Sequence, residues 1–286
     1  MWRRALTMPG LLLLGLLAFI EGVRRAEQDM EDVDPSPKAG KGKLQPRSLP
    51  DTCEGGTLML EGQYNVDKEH AISGGCQVRG KGKGANIHLN APLVFEGDQD
   101  ASFAGTLRFI GKGVLQKACV VVQGRLTVGL GHGDYILFTG CHNKEIEQLG
   151  GALYVEQGLV MRSGTLEVKG SSSLAGGGGI YIRKGGLRQS AGSIKLDGCK
   201  SEGIGGGLLI KAGGFNQDAT ADIHCVDCSA KHGGCLATEQ ADLALDVHGT
   251  IEAHNCVAEG SGRFAFTSNT DNAPGQQWSL VLGTAS

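Results

Sequence analysis

The side chains best suited to chemistry gather between His224 and Cys235. Cys225-Val-Asp-Cys228 is followed by Cys235 and flanked by His224 and His232, the ligand types of a zinc site. Two carboxylate pairs, Asp98 with Asp100 and Asp218 with Asp222, come nearest to the acidic cluster a calcium site needs. Acid–base cleavage of a glycoside requires two carboxylates facing one cleft. The glycine runs at 176–179 and 205–207 have neither the Lys-Ser/Thr nor the following helix of a phosphate loop. A nucleophile elbow, an HExxH pair and a haem-attachment motif are all missing from the sequence.

The element that must position these residues is a repeat. Gly150-Gly-Ala-Leu-Tyr-Val, Gly177-Gly-Gly-Ile-Tyr-Ile, Gly205-Gly-Gly-Leu-Leu-Ile and Gly233-Gly-Cys-Leu-Ala-Thr begin 27, 28 and 28 residues apart. A degraded fifth copy, Ser261-Gly-Arg-Phe-Ala-Phe, sets Gly262 a further 28 residues after Gly234. A fixed period of this size marks a stacked architecture. Each copy holds three short apolar stretches, such as Leu153–Val155, Leu159–Met161 and Leu166–Val168, or Leu236–Thr238, Leu243–Leu245 and Ile251–Ala253. Their alternation has period two, the mark of strands with one face buried, and Gly, Asn, Asp and Ser lie between them. With 48 glycines and no 3.6-residue stripe, a helical solenoid is excluded. The expected fold is all-β: a right-handed parallel β-helix with about 27–29 residues per coil.

Register then assigns the candidate residues. On the third strand the outward positions read Glu167, Lys195, His224 and Glu252, a solvated face on which charge mostly alternates. On the first strand they read Tyr154, Tyr181, Leu209 and Ala237, an exposed apolar stripe. Tyr154, Tyr181 and Leu209 are therefore candidate binding residues, with simple stacking on the sheet as the alternative. The zinc candidates dissolve into the repeat. Cys225 takes the inward slot of Leu196 and Ala253, Cys235 that of Ala152 and Gly207, Cys228 a corner, and His224 points outward. No metal, cofactor or catalytic residue is expected.

Cys141, Ser171, Cys199, Cys228 and Cys256 fall in one corner slot, at steps of 30, 28, 29 and 28. Coils about 4.8 Å apart lie within bridging range. Cys199–Cys228 or Cys228–Cys256 could therefore join, though not both, and a reduced stack of small residues is the alternative. The nine cysteines leave at least one thiol unpaired in a monomer.

Phe138-Thr-Gly-Cys141, a polar spacer and Gly150-Gly-Ala-Leu153 resemble the FxxN…GGA(I/L/V) repeat of polymorphic outer-membrane protein passengers, with Cys in place of Asn. The resemblance covers about residues 118–268 and implies a surface-exposed, right-handed β-helix of the autotransporter type. Gly131-His-Gly133 and Asn269-Thr-Asp271 resemble fragments of polygalacturonase motifs, in reversed order and without a paired-Asp motif. That second likeness would imply a pectin-lyase-like β-helix enzyme using the irregular coils at 85–145, with His132 and Asp134 as its candidates.

Residues 1–22 read as a secretory signal, with Arg3 and Arg4 before the apolar run Leu11–Ile20, or as an uncleaved anchor. Residues 23–52, rich in charge and proline, read as a linker. Residues 53–117 should form irregular early coils with a cap, 118–268 the regular repeats, and 269–286 a terminal cap or tail that includes a strand within Trp278–Leu282. The formal charge is −3, and with residues 1–22 removed it becomes −4 (25 basic against 29 acidic), with no basic stripe for nucleic acid. Together these features lead to a non-catalytic secreted or cell-surface protein, adhesin-like or structural, that meets a protein or glycan partner. Membrane association is expected only if the N-terminal segment is uncleaved. A polysaccharide-active enzyme is the alternative.

Overall fold

The computed structural model describes residues 46–146, 149–239 and 244–260, and the backbone of 265–267 and 280–282. Residues 1–22, read from the sequence as a signal, and most of the segment read as a linker lie outside the described residues. Among the described residues, apart from one 3-10 turn at Glu54–Gly56, the regular structure is β, wound into a parallel β-solenoid of about six turns.

Each coil contributes to three parallel sheets. One sheet stacks the strands His70–Ser73, Leu93–Glu96, Val120–Val122, Leu153–Val155, Ile180–Ile182, Leu208–Ile210, Leu236–Thr238 and Ala265–Thr267. A second, longer sheet carries two strands per coil, for example Leu159–Met161 and Thr165–Lys169. Its two halves join at the thirteen-residue strand Gln77–Leu89, which pairs through its first part with Ala101–Ala104 and through its last part with Thr106–Gly111, both on the edge opposite Thr57–Val66. A third sheet of two-residue strands, such as Ser172–Ser173 and Lys200–Ser201, closes the coil. This fourth strand is too short and too polar to be seen as an apolar alternation.

The core is a column of inward side chains, one layer per coil. Phe95, Phe103 and Phe109 come from successive strands of one coil and meet across its interior, edge-on and tilted, with ring centroids 5.4 and 5.3 Å apart, while Phe138 of the next coil stacks on Phe109 at 4.7 Å, and all four are fully buried. Stacking of Phe109 on Phe138 suits a solenoid because these registered positions recur at the strand spacing. One inward column is polar. Gln189 and Gln217 are registered neighbours and wholly buried. The Gln189 amide donates to the carbonyls of Gly192 and Asp222 at 2.8 and 2.9 Å, and Gln217 donates to Thr250 O and Gln189 Oε1, both at 3.3 Å. Replacing Gln189 with Met should cost about 1–3 kcal/mol in a denaturant melt, because two buried carbonyls lose their donor while the volume is kept.

The corner slot exists as expected, and its physical basis is the residue before it. Gly140, Gly170, Gly198, Asp227 and Asn255 all adopt left-handed backbone, with φ between 53° and 64°. Gly, Asn and Asp are the residues that tolerate this conformation. The small residue that follows each is inward, and its hydroxyl or thiol donates to the carbonyl two residues back in Ser171, Cys199 and Cys228.

The doubled glycines have a separate cause. Gly150, Gly177 and Gly205 also have positive φ and turn the chain back across the outer face of the first sheet. A Cβ on Gly177 would lie 2.9 Å from Tyr181 Cβ. The next glycine is wedged between coils. A Cβ on Gly178 would sit 2.2 Å from Lys200 O and 2.4 Å from Gly206 O.

Several expectations shift. The solenoid begins before Cys53: Arg47–Ser48 pairs with Tyr64 and Asn65, and Leu49 is buried in the core. In the fourth repeat the middle strand is Leu245–Val247, because Leu245 pairs with Phe215. Leu243, Leu245 and Val247 alternate alike, so a two-residue slip leaves the pattern intact. In the last copy Leu236 pairs with Ala265, one residue later than a 28-residue step. Leu280–Leu282 adds to the edge of Thr250–His254.

The bridges also differ. Disulfides join Cys53–Cys76, Cys119–Cys141 and Cys225–Cys235, while Cys199, Cys228 and Cys256 stand as thiols stacked in the corner column. The bridged cysteines connect columns across the coil interior, a route that neighbour-to-neighbour spacing along one ladder does not reveal.

Candidate functional site

The outward face of the third strand forms as its register predicts. Glu167 pairs with Lys195, Lys195 with His224, and His224 with Glu252. Lys169 Nζ lies 2.8 Å from Glu167 Oε1, and the Tyr135 hydroxyl donates to the same carboxylate. Burial opposes ionisation of Glu167, but the hydrogen bonds from Lys169 and Tyr135 outweigh it and hold the carboxyl below its ordinary value. Tyr135 moves upward, from burial first and then from donating to Glu167. His224 Nε2 is 2.8 Å from Asp222 Oδ2, and its Nδ1 is 2.9 Å from Glu252 Oε2. The result is a half-exposed array in which Tyr135–Glu167 and His224–Glu252 engage between coils, and Lys169–Glu167 and His224–Asp222 within a strand.

A second charged ladder runs at the ends of the first-sheet strands, and sequence reasoning missed it. Glu156, Arg183, Lys211 and Glu239 each donate their backbone N–H to the equivalent strand end of the preceding coil, which places them in one column. Glu156 takes Arg183 at 3.0 Å and Lys184 at 3.2 Å, and Lys211 lies 3.9 Å from Glu239. The Tyr154 hydroxyl donates to Glu156 at 2.5 Å. Burial again opposes ionisation of Glu156, and the bonds from Tyr154, Arg183 and Lys184 lower its carboxyl regardless. The signal was available: each first-sheet apolar triplet of the regular repeats is followed by a charged residue of this column.

The apolar stripe is not exposed. Tyr181 and Leu209 are 1% and 0% accessible, Ala237 is buried, and Tyr154 is half-buried. Leu149 and Ile204, carried on the loops that double back at the glycine pairs, pack over this face and make a small second core with the stripe. Tyr154 and Tyr181 stack with ring centroids 5.4 Å apart. Tyr154, Tyr181 and Leu209 thus stabilise the outer face of the sheet, and among them the Tyr154 hydroxyl reaches the charged ladder.

The two phenols carry a pH consequence. Burial, then the bond to Glu156, pushes Tyr154 up to about 12, and burial raises Tyr181 as well. A folded-state pKa raised above the ordinary 10.0 contributes stability that is intact below about pH 10 and lost as pH climbs through the folded value. The native chain should lose stability between pH 10 and 12, and the Tyr154→Phe/Tyr181→Phe variant should lose less of it. Denaturant melts across that range, followed together with phenolate absorbance, check this.

The remaining candidates do not converge. Cys225 and Cys235 are bonded to each other, so neither offers a thiolate to a metal, while His224 faces outward and Cys228 lies in the corner. Among the described residues no group of three or more His, Cys, Asp or Glu is placed to hold a metal ion. Asp98 and Asp100 are exposed, and Asp100 lies 3.8 Å from Arg125. Asp134 is buried, and its carboxylate accepts from the backbone N–H groups of Gly105, Leu130 and Gly131 at 2.7, 2.7 and 2.8 Å. That carboxylate braces a turn, and His132 beside it is exposed. Asn269-Thr-Asp271 lies outside the described residues, and no helix among the described residues is long and apolar enough to cross a membrane.

No family model, curated protein or solved structure matches the chain. Its architecture is that of an all-β parallel solenoid.

Proposed function

We propose that the protein is a secreted or cell-surface β-helix that binds a protein or glycan partner and performs no chemistry on it. The pair of charged ladders carries the reading: Glu167–Lys195–His224–Glu252 and Glu156–Arg183–Lys211–Glu239 each display four charge-bearing or titratable side chains in register on a rigid sheet. A rigid array in which two basic residues lie between two acidic ones loses little entropy on binding and favours partners whose own charges match its spacing. Three disulfides and the signal-like start support an oxidising compartment. The likeness to polymorphic outer-membrane protein passengers agrees with surface display and belongs to the same proposal.

The test uses the full chain, epitope-tagged and expressed in its own cells. N-terminal sequencing of the exported product should find residues 1–22 removed. The purified product is then applied to a glycan array and to immobilised extracellular-matrix proteins, beside the Lys195→Glu/Arg183→Glu variant. Binding that falls at least tenfold in the variant, without turnover of acidic polysaccharides in the presence or absence of Ca²⁺, is the expected outcome. Retention inside the cell contradicts the location, and polysaccharide turnover lost in His132→Ala contradicts the non-catalytic reading.

A further inference from the structure

We propose that Cys235 has two bridge partners, Cys225 in the preceding coil and Cys256 in its own, and that the two disulfides interconvert by thiol–disulfide exchange. The argument is one of register. Val120, Leu153, Ile180, Leu208 and Leu236 form one column, so the residues just before them, Cys119, Ala152, Gly179, Gly207 and Cys235, form the next. His142, Ser172, Lys200, Ser229 and Val257 form another column, so Cys141, Ser171, Cys199, Cys228 and Cys256 occupy the corner beside it.

These two columns meet inside two of the coils. At residues 119 and 141 both positions are cysteine, and they are bonded, with Cα atoms 5.7 Å apart. At residues 179 and 199 one partner is glycine, and a Cβ built on Gly179 lies 3.1 Å from Cys199 Sγ. That is the separation of about 3.0 Å between a Cβ and the far sulfur of a disulfide with standard bond lengths. At residues 235 and 256 both positions are again cysteine. The last cysteine-bearing coil thus repeats the pair of positions that the Cys119–Cys141 bridge uses.

The same slot also touches the preceding coil. The Cβ built on Gly179 is 3.4 Å from Val168, and one on Gly207 is 2.8 Å from Leu196 Cδ1. Val168, Leu196 and Cys225 share a column. Cys235 is bonded to that third member, with Cα atoms 5.8 Å apart. By register its slot therefore faces two cysteine positions, Cys225, to which it is bonded, and Cys256, which is a thiol.

Exchange needs no external oxidant. The Cys256 thiolate attacks Cys235 Sγ, the bond to Cys225 breaks, and Cys225 leaves as a thiolate and takes up a proton; one disulfide and one thiol are present before and after. Cys256 is the least buried of the three thiols. Its contact with Cys228, together with burial, raises its pKa, so the step quickens with pH. The consequence is mechanical: the staple moves from between two coils, ten residues apart in sequence, to across the interior of the last of them.

The full oxidised chain decides this. It is incubated under alkaline conditions without added thiol, quenched in acid, alkylated, digested without reduction and mapped by mass spectrometry. The expected result is a Cys235–Cys256 linked peptide that grows with time, while alkylated Cys225 grows in parallel. If Cys235 stays wholly with Cys225 and Cys256 stays wholly alkylated, or if Cys256 links to Cys228 instead, the proposal is overturned. The Cys225→Ser chain, reoxidised with glutathione disulfide, should place most of its Cys235 with Cys256. Should that variant fail to fold by circular dichroism, the wild-type time course still separates the two outcomes.

Discussion

Gly178→Val should be the most damaging single substitution in the regular coils, lowering stability by about 3–5 kcal/mol or preventing accumulation of folded protein. The added Cβ would fall 2.2 Å from Lys200 O and 2.4 Å from Gly206 O, where real Cβ atoms do not approach within 3.0 Å. Both obstacles are backbone, so no side-chain rotation relieves them. Relief requires parting this coil from the next, which breaks the bonds from Gly178 N to Gly205 O and from Gly179 N to Gly206 O. Damage at one coil spreads, because each coil is held by its two neighbours alone. Gly113→Val is the matched control. Nothing lies within 4 Å of a Cβ there, and its φ is not in the left-handed region, so the change should fall within about 0.5 kcal/mol of zero. Urea melts of the two variants beside the native chain measure the contrast. Equal midpoints for Gly178→Val and Gly113→Val would contradict the close stacking of the glycine hooks.

Phe109→Ala should cost about 3–5 kcal/mol, the range for deleting a buried phenyl ring. Phe109 lies between Phe103 and Phe138, stacked on the second at 4.7 Å with an interplanar angle of 12°. Its removal leaves a cavity bounded by two rings held rigidly by their own strands, which limits collapse. Phe109→Leu restores most of the volume and should recover more than half of the loss. Denaturant melts read both. A loss below about 1 kcal/mol for Phe109→Ala would mean that the aromatic cluster is not the packed centre of the early coils.

What the sequence disclosed follows from what repeats in it. The step from Gly150 to Gly177, Gly205 and Gly233 located the coils, and period-two alternation located most of the longer strands. The third-strand ladder was legible because outward residues one repeat apart must stack once the coils are parallel. The corner was legible too, through its small residues, although the left-handed Gly198, Asp227 and Asn255 that create it went unread. The covered stripe was not legible. Tyr181 does point away from the core, but whether that face meets water depends on the loops that turn back at Gly150 and Gly205 and bring Leu149 and Ile204 over it. Alternation along a strand reports two faces and says nothing of a loop laid on one of them. The disulfides were missed for a similar reason. Spacing along one column suggested Cys199, Cys228 and Cys256 as neighbours, which they are, whereas the bonds run between columns. Asp134 was a candidate with His132 for the alternative enzyme, and its three backbone donors, from Gly105 one coil away and from its own turn, could not be read from the sequence.

The central claim is that residues one repeat apart become neighbours on a flat outer face. Spin labels on Lys195→Cys and Glu252→Cys, in a Cys256→Ser chain whose Cys199 and Cys228 stay buried, measure it directly. His224 stands between the two labels in the ladder, so their backbones should lie two strand spacings, about 10 Å, apart. Strong dipolar broadening of the continuous-wave spectrum, absent from the singly labelled chains, is the predicted result. A spectrum equal to the sum of the two single labels, which places them beyond about 20 Å (more than four spacings), would contradict the stacking and with it both charged ladders.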